Sequence, residues 1–238
     1  MTHLLSVRGL TKSFGANAVA SEIDFDVKEG EILGIIGPNG AGKTTLFGML
    51  TGQVPPSAGT LAYAGEDITD LAPHERAQRG IARTYQVPRP FGEMTVYDNL
   101  RVAASFAGGL SGADAAEWIG RSLAITGLTR HANALAGRLP LLVRKRHELA
   151  RALAARPKLI LIDEVAAGLT EQEISEFIEI VRRIRAMGIT VVWIEHVIRT
   201  MLTATDRLMA LAGGKVLAIG EPQQVINLPE VKRVYLGA

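Results

Sequence analysis

The chain lacks both cysteine and long apolar runs. Without cysteine, disulfides and thiolate metal sites are excluded, and a reducing compartment is allowed. No run approaches the roughly 18 to 20 apolar residues that a membrane-spanning helix needs. Residues Met1 to Arg8 also lack the basic region and the apolar run of a signal peptide. We therefore expect any association with a membrane to depend on partner proteins.

The charge of the chain is almost balanced. It has 26 basic and 24 acidic residues, which give a net charge of +2. This balance is too even to indicate a nucleic-acid partner, and we expect none, although a pI near 9.0 permits acidic partners. Hydrophobic residues make up 47% of the 238 residues, which is typical of a globular protein with one large domain or a core and a subdomain.

Apolar runs alternate with amphipathic segments over much of the chain. Strand-like runs are found at 4–7, 23–27, 31–36, 159–162 and 189–194. Helical periodicity is found at 43–50 and at 171–187, and Gly188 is expected to end the second helix. Strands that alternate with helices predict an α/β fold with a largely parallel sheet.

The middle of the chain is different, because β-like runs are few and alanine is frequent. Helix-like stretches are found near 95–107, 113–126 and 142–155. Closer to the end of the chain, a hairpin is predicted at Gly213-Gly214, between the runs 207–211 and 215–219. We therefore predict one domain with an inserted helical subdomain. Its proposed limits are 1–238 for the domain, about 1–90 and 156–215 for the α/β core, about 91–155 for the helical subdomain and about 216–238 for a C-terminal segment.

Residues 37–44 match the phosphate-binding pattern G-x-x-x-x-G-K-[ST] without mismatch. They follow a predicted strand and begin a predicted helix, which is the context that the pattern requires. Glycines let backbone N–H groups approach phosphate oxygens, and the helix N-terminus adds a positive dipole end. Lys43 is expected to reach the β- and γ-phosphates of ATP, and the Thr44 hydroxyl to ligate Mg²⁺. The predicted nucleotide-binding residues here are Gly37, Pro38, Asn39, Gly40, Ala41, Gly42, Lys43, Thr44 and Thr45.

Two acids, Asp163 and Glu164, follow the apolar run 159–162. Carboxylates at the end of a buried strand are costly unless a cation or a substrate meets them. We expect Asp163 to hold Mg²⁺, directly or through water, and Glu164 to orient or deprotonate the attacking water. Strand alternation predicts that Glu164 points to the other side of the strand. The alternative is a strand end with two solvated acids.

Shorter motifs follow the phosphate-binding segment in a fixed order. They are Arg83-Thr84-Tyr85-Gln86, Ala166-Ala167-Gly168-Leu169 and Trp193-Ile194-Glu195-His196. They resemble the Q-loop, the D-loop and the switch histidine of the ABC ATPases. No guanine-reading Asn-Lys-x-Asp motif is present, which argues against a GTPase. The stretches 82–86, 94–100, 163–169 and 228–237 resemble the ATP-binding subunits of branched-chain amino acid importers.

The resemblance implies a P-loop NTPase fold, with a RecA-like core, an antiparallel β subdomain and the inserted α-helical subdomain. It implies that Phe14 stacks on adenine, although a core aromatic is the alternative. Gln86 would sense the γ-phosphate and Mg²⁺ and act in catalysis with Glu164. His196 would contact the γ-phosphate and hold the catalytic water; its alternative is a hydrogen-bonded buried histidine. The implied Mg²⁺ ligands are Thr44, Gln86 and Asp163.

The resemblance also implies partners and a role. The partners would be membrane-spanning permease subunits, a second ATPase subunit and, indirectly, a solute-binding protein. The chain would lie at the cytoplasmic side of the inner membrane as a peripheral protein. It would hydrolyse ATP to power a transporter, and the resemblance favours an importer of branched-chain or related amino acids. The alternatives are a soluble ABC-type ATPase and a nucleotide-binding regulatory module with little turnover. The residues leave the substrate and the direction of transport open.

The signature motif departs from the family. Where the family has Leu-Ser-Gly-Gly-Gln, this chain has Leu139-Pro140-Leu141-Leu142-Val143, followed by the expected basic helix. In the family, the signature of one subunit caps the ATP that the other subunit holds. Pro140 lacks a backbone donor, and the leucines place apolar groups where phosphate would lie. A heterodimer whose partner supplies an intact signature, a homodimer with slow sites, and an altered sequence all stay open.

Overall fold

The computed structural model describes residues 3–236, so residues 1, 2, 237 and 238 of the predicted domain lie outside the described part. The strands, in chain order, are β1 (His3–Phe14), β2 (Asn17–Lys28), β3 (Ile32–Ile36), β4 (Ala58–Tyr63), β5 (Glu66–Asp67), β6 (Ile81–Arg83), β7 (Leu159–Asp163), β8 (Thr190–Ile194), β9 (Arg207–Ala212) and β10 (Lys215–Gly220). The helices are α1 (Lys43–Leu50), α2 (Pro73–Gln78), α3 (Val96–Phe106), α4 (Gly112–Ile125), α5 (Leu141–Ala154), α6 (Glu171–Ala186), α7 (Ile198–Ala204), α8 (Pro222–Asn227) and α9 (Pro229–Leu236). This mixture confirms the predicted α/β class.

The chain divides into two compact units. Unit 1 comprises the residues up to Pro73 and those from Thr190 onward, and unit 2 comprises His74–Ile189. These limits differ from those of the predicted scheme, in which the inserted helical subdomain starts near residue 91 and ends near residue 155. The scheme of core, helical subdomain and C-terminal segment therefore stays a prediction.

Unit 1 contains an antiparallel sheet with the strand order β2-β1-β4-β5. In β2, Ile23, Phe25 and Val27 are buried, whereas Asp24 is exposed. This alternation places one face of the strand against a core and the other toward solvent, as expected for a sheet covered on one side.

Unit 1 also contains parallel strands. β3 pairs in parallel with β8 on one side and with β9 on the other. All residues of β3 and β8 are buried, which explains their continuous apolar runs, because a parallel strand is covered on both faces. β10 pairs antiparallel with β9 and confirms the predicted hairpin at Gly213-Gly214.

Unit 2 combines the parallel pair β6–β7 with a helical core. The helices α3, α4 and α5 confirm the predicted helix-like stretches to within a few residues. Their buried side chains form one cluster, which includes Val96, Leu100, Ala104, Ala115, Ile119, Leu123, Ala150 and Ala154. The many small residues of this part of the sequence let the helices approach closely.

Helix α6 follows the predicted periodicity. It buries Phe177, Val181 and Ile184 and ends at Ala186, just before Gly188. A capping box starts it: the Thr170 side chain accepts from the Glu173 N–H, and the Glu173 carboxylate accepts from the Thr170 N–H. These reciprocal bonds satisfy donors that a helix N-terminus leaves open.

Within residues 3–236, no helix is long and apolar enough to cross a bilayer.

His147 lies on α5 with no exposed surface, and neither ring nitrogen has a hydrogen-bond partner among the described residues. Burial, and then the positive charge of Arg151, lower the pKa of His147 from 6.5 to about 4. Both effects favour the neutral imidazole, because burial penalises the charged form and the guanidinium repels it. In the unfolded chain, the same ring titrates at about 6.5.

We expect His147 to make the free energy of unfolding depend on pH. The unfolded chain binds more protons than the folded one between the two pKa values, so this contribution is complete above about pH 6.5 and is lost as the pH falls toward 4. The loss amounts to about 3 kcal/mol at pH 4. In His147→Leu, urea unfolding at several pH values should show a weaker dependence over this range. His74→Leu, which replaces an exposed histidine of unit 2, should behave like the wild type, and an equal slope in all three proteins would contradict the assignment.

Candidate functional site

The segment 37–42 connects β3 to α1 in unit 1 and needs glycine at particular positions. A Cβ atom at Gly37 would overlap with the carbonyl oxygen of Leu211 on β9. At Gly42, where φ is +95°, a Cβ atom would lie 2.5 Å from the carbonyl oxygen of Val19 on β2. The backbone of the segment therefore packs directly on neighbouring strands, which only residues without a side chain permit.

Lys43 and the start of α1 concentrate positive charge at this segment. The Lys43 side chain is only 5% exposed, and its Nζ donates to the carbonyl oxygens of Gly37 (2.8 Å) and Pro38 (3.1 Å). Helix α1 has a glycine as its N-cap and no acidic residue in its first turn. Its N–H groups and dipole are thus not neutralised by a carboxylate of that turn, and the arrangement fits the phosphates of a nucleotide.

The strand register places His196 level with this segment. Ile35 of β3 pairs with Ile194 of β8, so Gly37 and His196 each follow a paired residue by two positions at the carboxyl ends of parallel strands. His196 is exposed, which argues against the alternative of a buried histidine. Its backbone N–H donates to Oε2 of the buried Glu195 (3.3 Å), whose Oε1 accepts from Trp193 Nε1 (3.3 Å).

Phe14 is the last residue of β1 and is 55% exposed. The Lys12 ammonium lies 5.1 Å from the centre of its ring. The exposure makes the alternative interpretation of Phe14, a core aromatic, wrong. An exposed ring is available for stacking, so the expected contact with adenine stays a prediction.

In unit 2, β7 ends at Asp163, which is 5% exposed. Its Oδ2 accepts from Arg83 Nη2 at 2.7 Å, and both side chains are nearly inaccessible. Thr84 fixes the same strand end, because its Oγ1 accepts from the Asp163 N–H (3.2 Å) while its own N–H donates to the Leu161 carbonyl (2.9 Å). The interpretation of two solvated acids is therefore wrong for Asp163.

Glu164 and Gln86 are in direct contact in unit 2. The Glu164 Oε2 accepts from Gln86 Nε2 at 2.5 Å. The backbone of Glu164 is left-handed, with φ of 44°. The strand ends at Asp163, so the expected strand alternation does not determine the direction of the Glu164 side chain. The left-handed backbone at Glu164 determines it, at a cost of about 1–2 kcal/mol.

The structure therefore groups Gln86, Asp163 and Glu164 in unit 2, and it places the segment 37–42, Lys43 and His196 together in unit 1. Sequence reasoning missed Arg83 as the partner of Asp163. The signal was a basic residue that follows a short apolar run and begins the Q-loop motif, but nothing in the sequence indicates its partner 80 residues away.

The signature segment forms the start of α5. Pro140 is the N-cap and is exposed, Leu141 is 48% exposed, and Val143 is partly buried against the helical core. Helix α5 has no acidic residue in its first turn, and Pro140 offers no side-chain cap. Leu141 lies close to Gly168, since a Cβ atom at Gly168 would be 3.2 Å from Leu141 Cδ2. The segment is thus an ordered helix start with an apolar surface.

Comparison with known proteins identifies the family. A family model described as ABC transporter matches residues 20–167. The chain is 36% identical to BraF, the high-affinity branched-chain amino acid transport ATP-binding protein of Pseudomonas aeruginosa, over 98% of both chains. It is 38% identical to LptB, the lipopolysaccharide export system ATP-binding protein of Haemophilus influenzae, over 98% of this chain and 97% of LptB.

The fold has the same relatives. The chain superposes on the crystal structure of the ADP conformation of an ATP-binding cassette of an ABC transporter with a TM-score of 0.91, at 30% sequence identity and with both chains covered completely. This similarity confirms the predicted P-loop NTPase fold. The phosphate-binding segment, the grouped carboxylates and these matches lead to one conclusion: the chain belongs to the ABC transporter family, as an ATP-binding and ATP-hydrolysing subunit.

Proposed function

We propose that unit 1 holds the triphosphate of ATP at residues 37–45. The observation that carries this proposal is the burial of the Lys43 ammonium beside an α1 N-terminus whose first turn has no acid. Phosphate oxygens would replace the carbonyls of Gly37 and Pro38 as acceptors for Lys43, because a charged acceptor makes the stronger hydrogen bond. Phe14 would stack on adenine, and the exposed His196 would contact the γ-phosphate and hold the attacking water.

The carboxylates of unit 2 would perform the hydrolysis. Glu164 would accept a proton from the attacking water or orient it, and Gln86, which now donates to Glu164, would contact the γ-phosphate. Asp163, Gln86 and the Thr44 hydroxyl supply oxygen donors of the kind that Mg²⁺ prefers. Bound Mg²⁺ would neutralise the charge that develops on the phosphates.

The apolar signature favours an unequal pair of ATPase subunits. Pro140 and Leu141 offer no side-chain donor to a phosphate, and loss of one preorganised donor costs about 10²–10³ in rate in oxyanion holes. The residues at 43, 163, 164 and 196 nevertheless retain the chemistry of hydrolysis. We therefore propose that a second, different ATPase subunit supplies an intact signature to this chain. A homodimer with slow sites and an altered segment are the alternatives to this pair.

We further propose that the chain powers an importer of branched-chain or related amino acids. The likeness to BraF over almost the whole chain supports this substrate class. The partners would be permease subunits in the inner membrane, with the chain bound at their cytoplasmic side and a solute-binding protein delivering the substrate. The likeness to LptB supports a second candidate, export of a lipopolysaccharide, to a similar degree.

Glu164→Gln should keep ATP binding and lower turnover by about 10²–10⁴-fold, because the amide retains the shape but is not a base. The measurement is steady-state ATP hydrolysis by the assembled transporter, with nucleotide affinity determined in parallel. Glu117→Gln, a substitution at an exposed acid of α4, is the matched control and should leave both quantities unchanged. Turnover equal to the control would remove Glu164 from its proposed role.

The quadruple variant Pro140→Ser, Leu141→Gly, Leu142→Gly, Val143→Gln should hydrolyse ATP faster than the isolated wild-type chain, because it restores donors at the start of α5. ATP hydrolysis by both purified proteins is the measurement. Activity in the variant alone favours a complementing partner for the natural chain. Equal and substantial activity in both proteins would show that the signature does not limit turnover and would contradict the unequal pair.

Cells that lack the chain should lose uptake of leucine, isoleucine or valine, measured with radiolabelled amino acids. The wild type and Lys215→Ala, which changes an exposed lysine of unit 1, should restore uptake. Lys43→Ala should not, because the phosphate contact is lost. Normal uptake together with less lipopolysaccharide at the cell surface would replace the importer with the exporter.

A further inference from the structure

Lys145 connects the signature helix to the segment after Glu164. It lies on α5 and is only 6% exposed. Its Nζ donates to the backbone carbonyls of Val165 and Ala167. All of these residues belong to unit 2. One side chain of α5 thus binds the carbonyls of two of the three residues that follow Glu164.

These hydrogen bonds satisfy a strong physical requirement. A buried ammonium is costly unless its donors find acceptors, and backbone carbonyls give it partners of partial negative charge. The bonds are charge-assisted and therefore stronger than bonds between neutral groups. The position of the segment 165–167 relative to α5 is thus fixed by the burial of Lys145.

The segment needs such support because of its backbone. Glu164 has a left-handed φ of 44°, which a residue with a side chain adopts only when its surroundings impose it. On its carboxyl-terminal side, the Leu169 N–H donates to the Ala166 carbonyl (3.1 Å), and the capping box at Thr170 starts α6. Lys145 acts between these points, on the residues adjacent to Glu164.

The neighbouring cations of α5 have other partners. Arg144 donates to the Leu139 carbonyl at 3.0 Å, and Arg146 forms an ion pair with Glu176 of α6. The contact with the segment after Glu164 is therefore not a general consequence of the basic character of α5. Arg146 provides a matched control for Lys145, because it is the next residue on the same helix and its cationic side chain also contacts another element, through the ion pair with Glu176.

We propose that Lys145 is a positioning residue for hydrolysis: it fixes the carbonyls of Val165 and Ala167 and so keeps the Glu164 carboxylate at the place where it meets the attacking water. The proposal rests on the function proposed for Glu164. Lys145 itself contacts neither ATP nor water in this role. The two hydrogen bonds of Lys145 also link α5, whose first turn contains the signature, to the segment that follows Glu164.

The first test measures amide hydrogen exchange of the segment 165–169 in the full chain. Lys145→Met should speed exchange there by about 10- to 100-fold, the factor that corresponds to loss of a hydrogen bond to a charged group. Lys145→Arg should stay close to the wild type, because a guanidinium can donate to the same carbonyls. Arg146→Met should leave this segment unchanged. Equal exchange in Lys145→Met and Arg146→Met would overturn the proposal, and Lys145→Gln serves if the methionine variant does not fold.

The second test separates positioning from general support of the fold. Single-turnover hydrolysis by the assembled transporter, in excess over ATP, should be slower with Lys145→Met at unchanged ATP affinity, and Lys145→Arg should restore the rate. In the Glu164→Gln background, Lys145→Met should cause no further loss, since both changes act on one group. If Glu164→Gln alone has no effect, the function proposed for Glu164 fails. If Glu164→Gln is slow and Lys145→Met is as fast as the wild type, only the role of Lys145 fails.

Discussion

The requirement that a charge removed from water must find a partner organises both units of this protein. In unit 1, the Lys43 ammonium is satisfied by carbonyls of the segment that it would serve. In unit 2, Asp163 is paired with Arg83, and Lys145 donates to the carbonyls after Glu164. Each of these contacts determines the path of a connecting segment, and the segments carry the candidate site. The hydrophobic core positions the strands, and the buried charges position the segments at the strand ends.

The same requirement describes how such a site would work. Lys43, Asp163 and Glu164 already have partners in the protein. A group that binds to any of them would replace an existing partner and would not be the first partner of an unpaired charge. Charges that already have partners keep the free-energy cost of the unbound state low. Helix α5 is part of this arrangement through Lys145, although its first turn is apolar.

Much of the fold could be predicted from the sequence, because its signals are local. The helices α3 to α6 follow hydrophobic periodicity, and the hairpin β9–β10 follows its glycine pair. The short elements β4, α2, α7 and α8 were missed, since six or seven residues carry too little periodicity to be distinguished from loops. The limits of the domains also stay a prediction, because they depend on contacts between distant parts of the chain.

The sequence by itself determined the family and the residues at which nucleotide chemistry is expected, since the phosphate-binding pattern and the carboxylates after an apolar run depend on residue type and spacing alone. It also determined that the signature is unusual. Only the tertiary structure decided that Arg83 pairs with Asp163, that Phe14 is exposed, that Glu164 adopts a left-handed backbone, and that Lys145 reaches the carbonyls beside it. The physical reason is that a buried charge accepts whichever partner the fold brings to it, and that partner can lie 80 residues away in the chain.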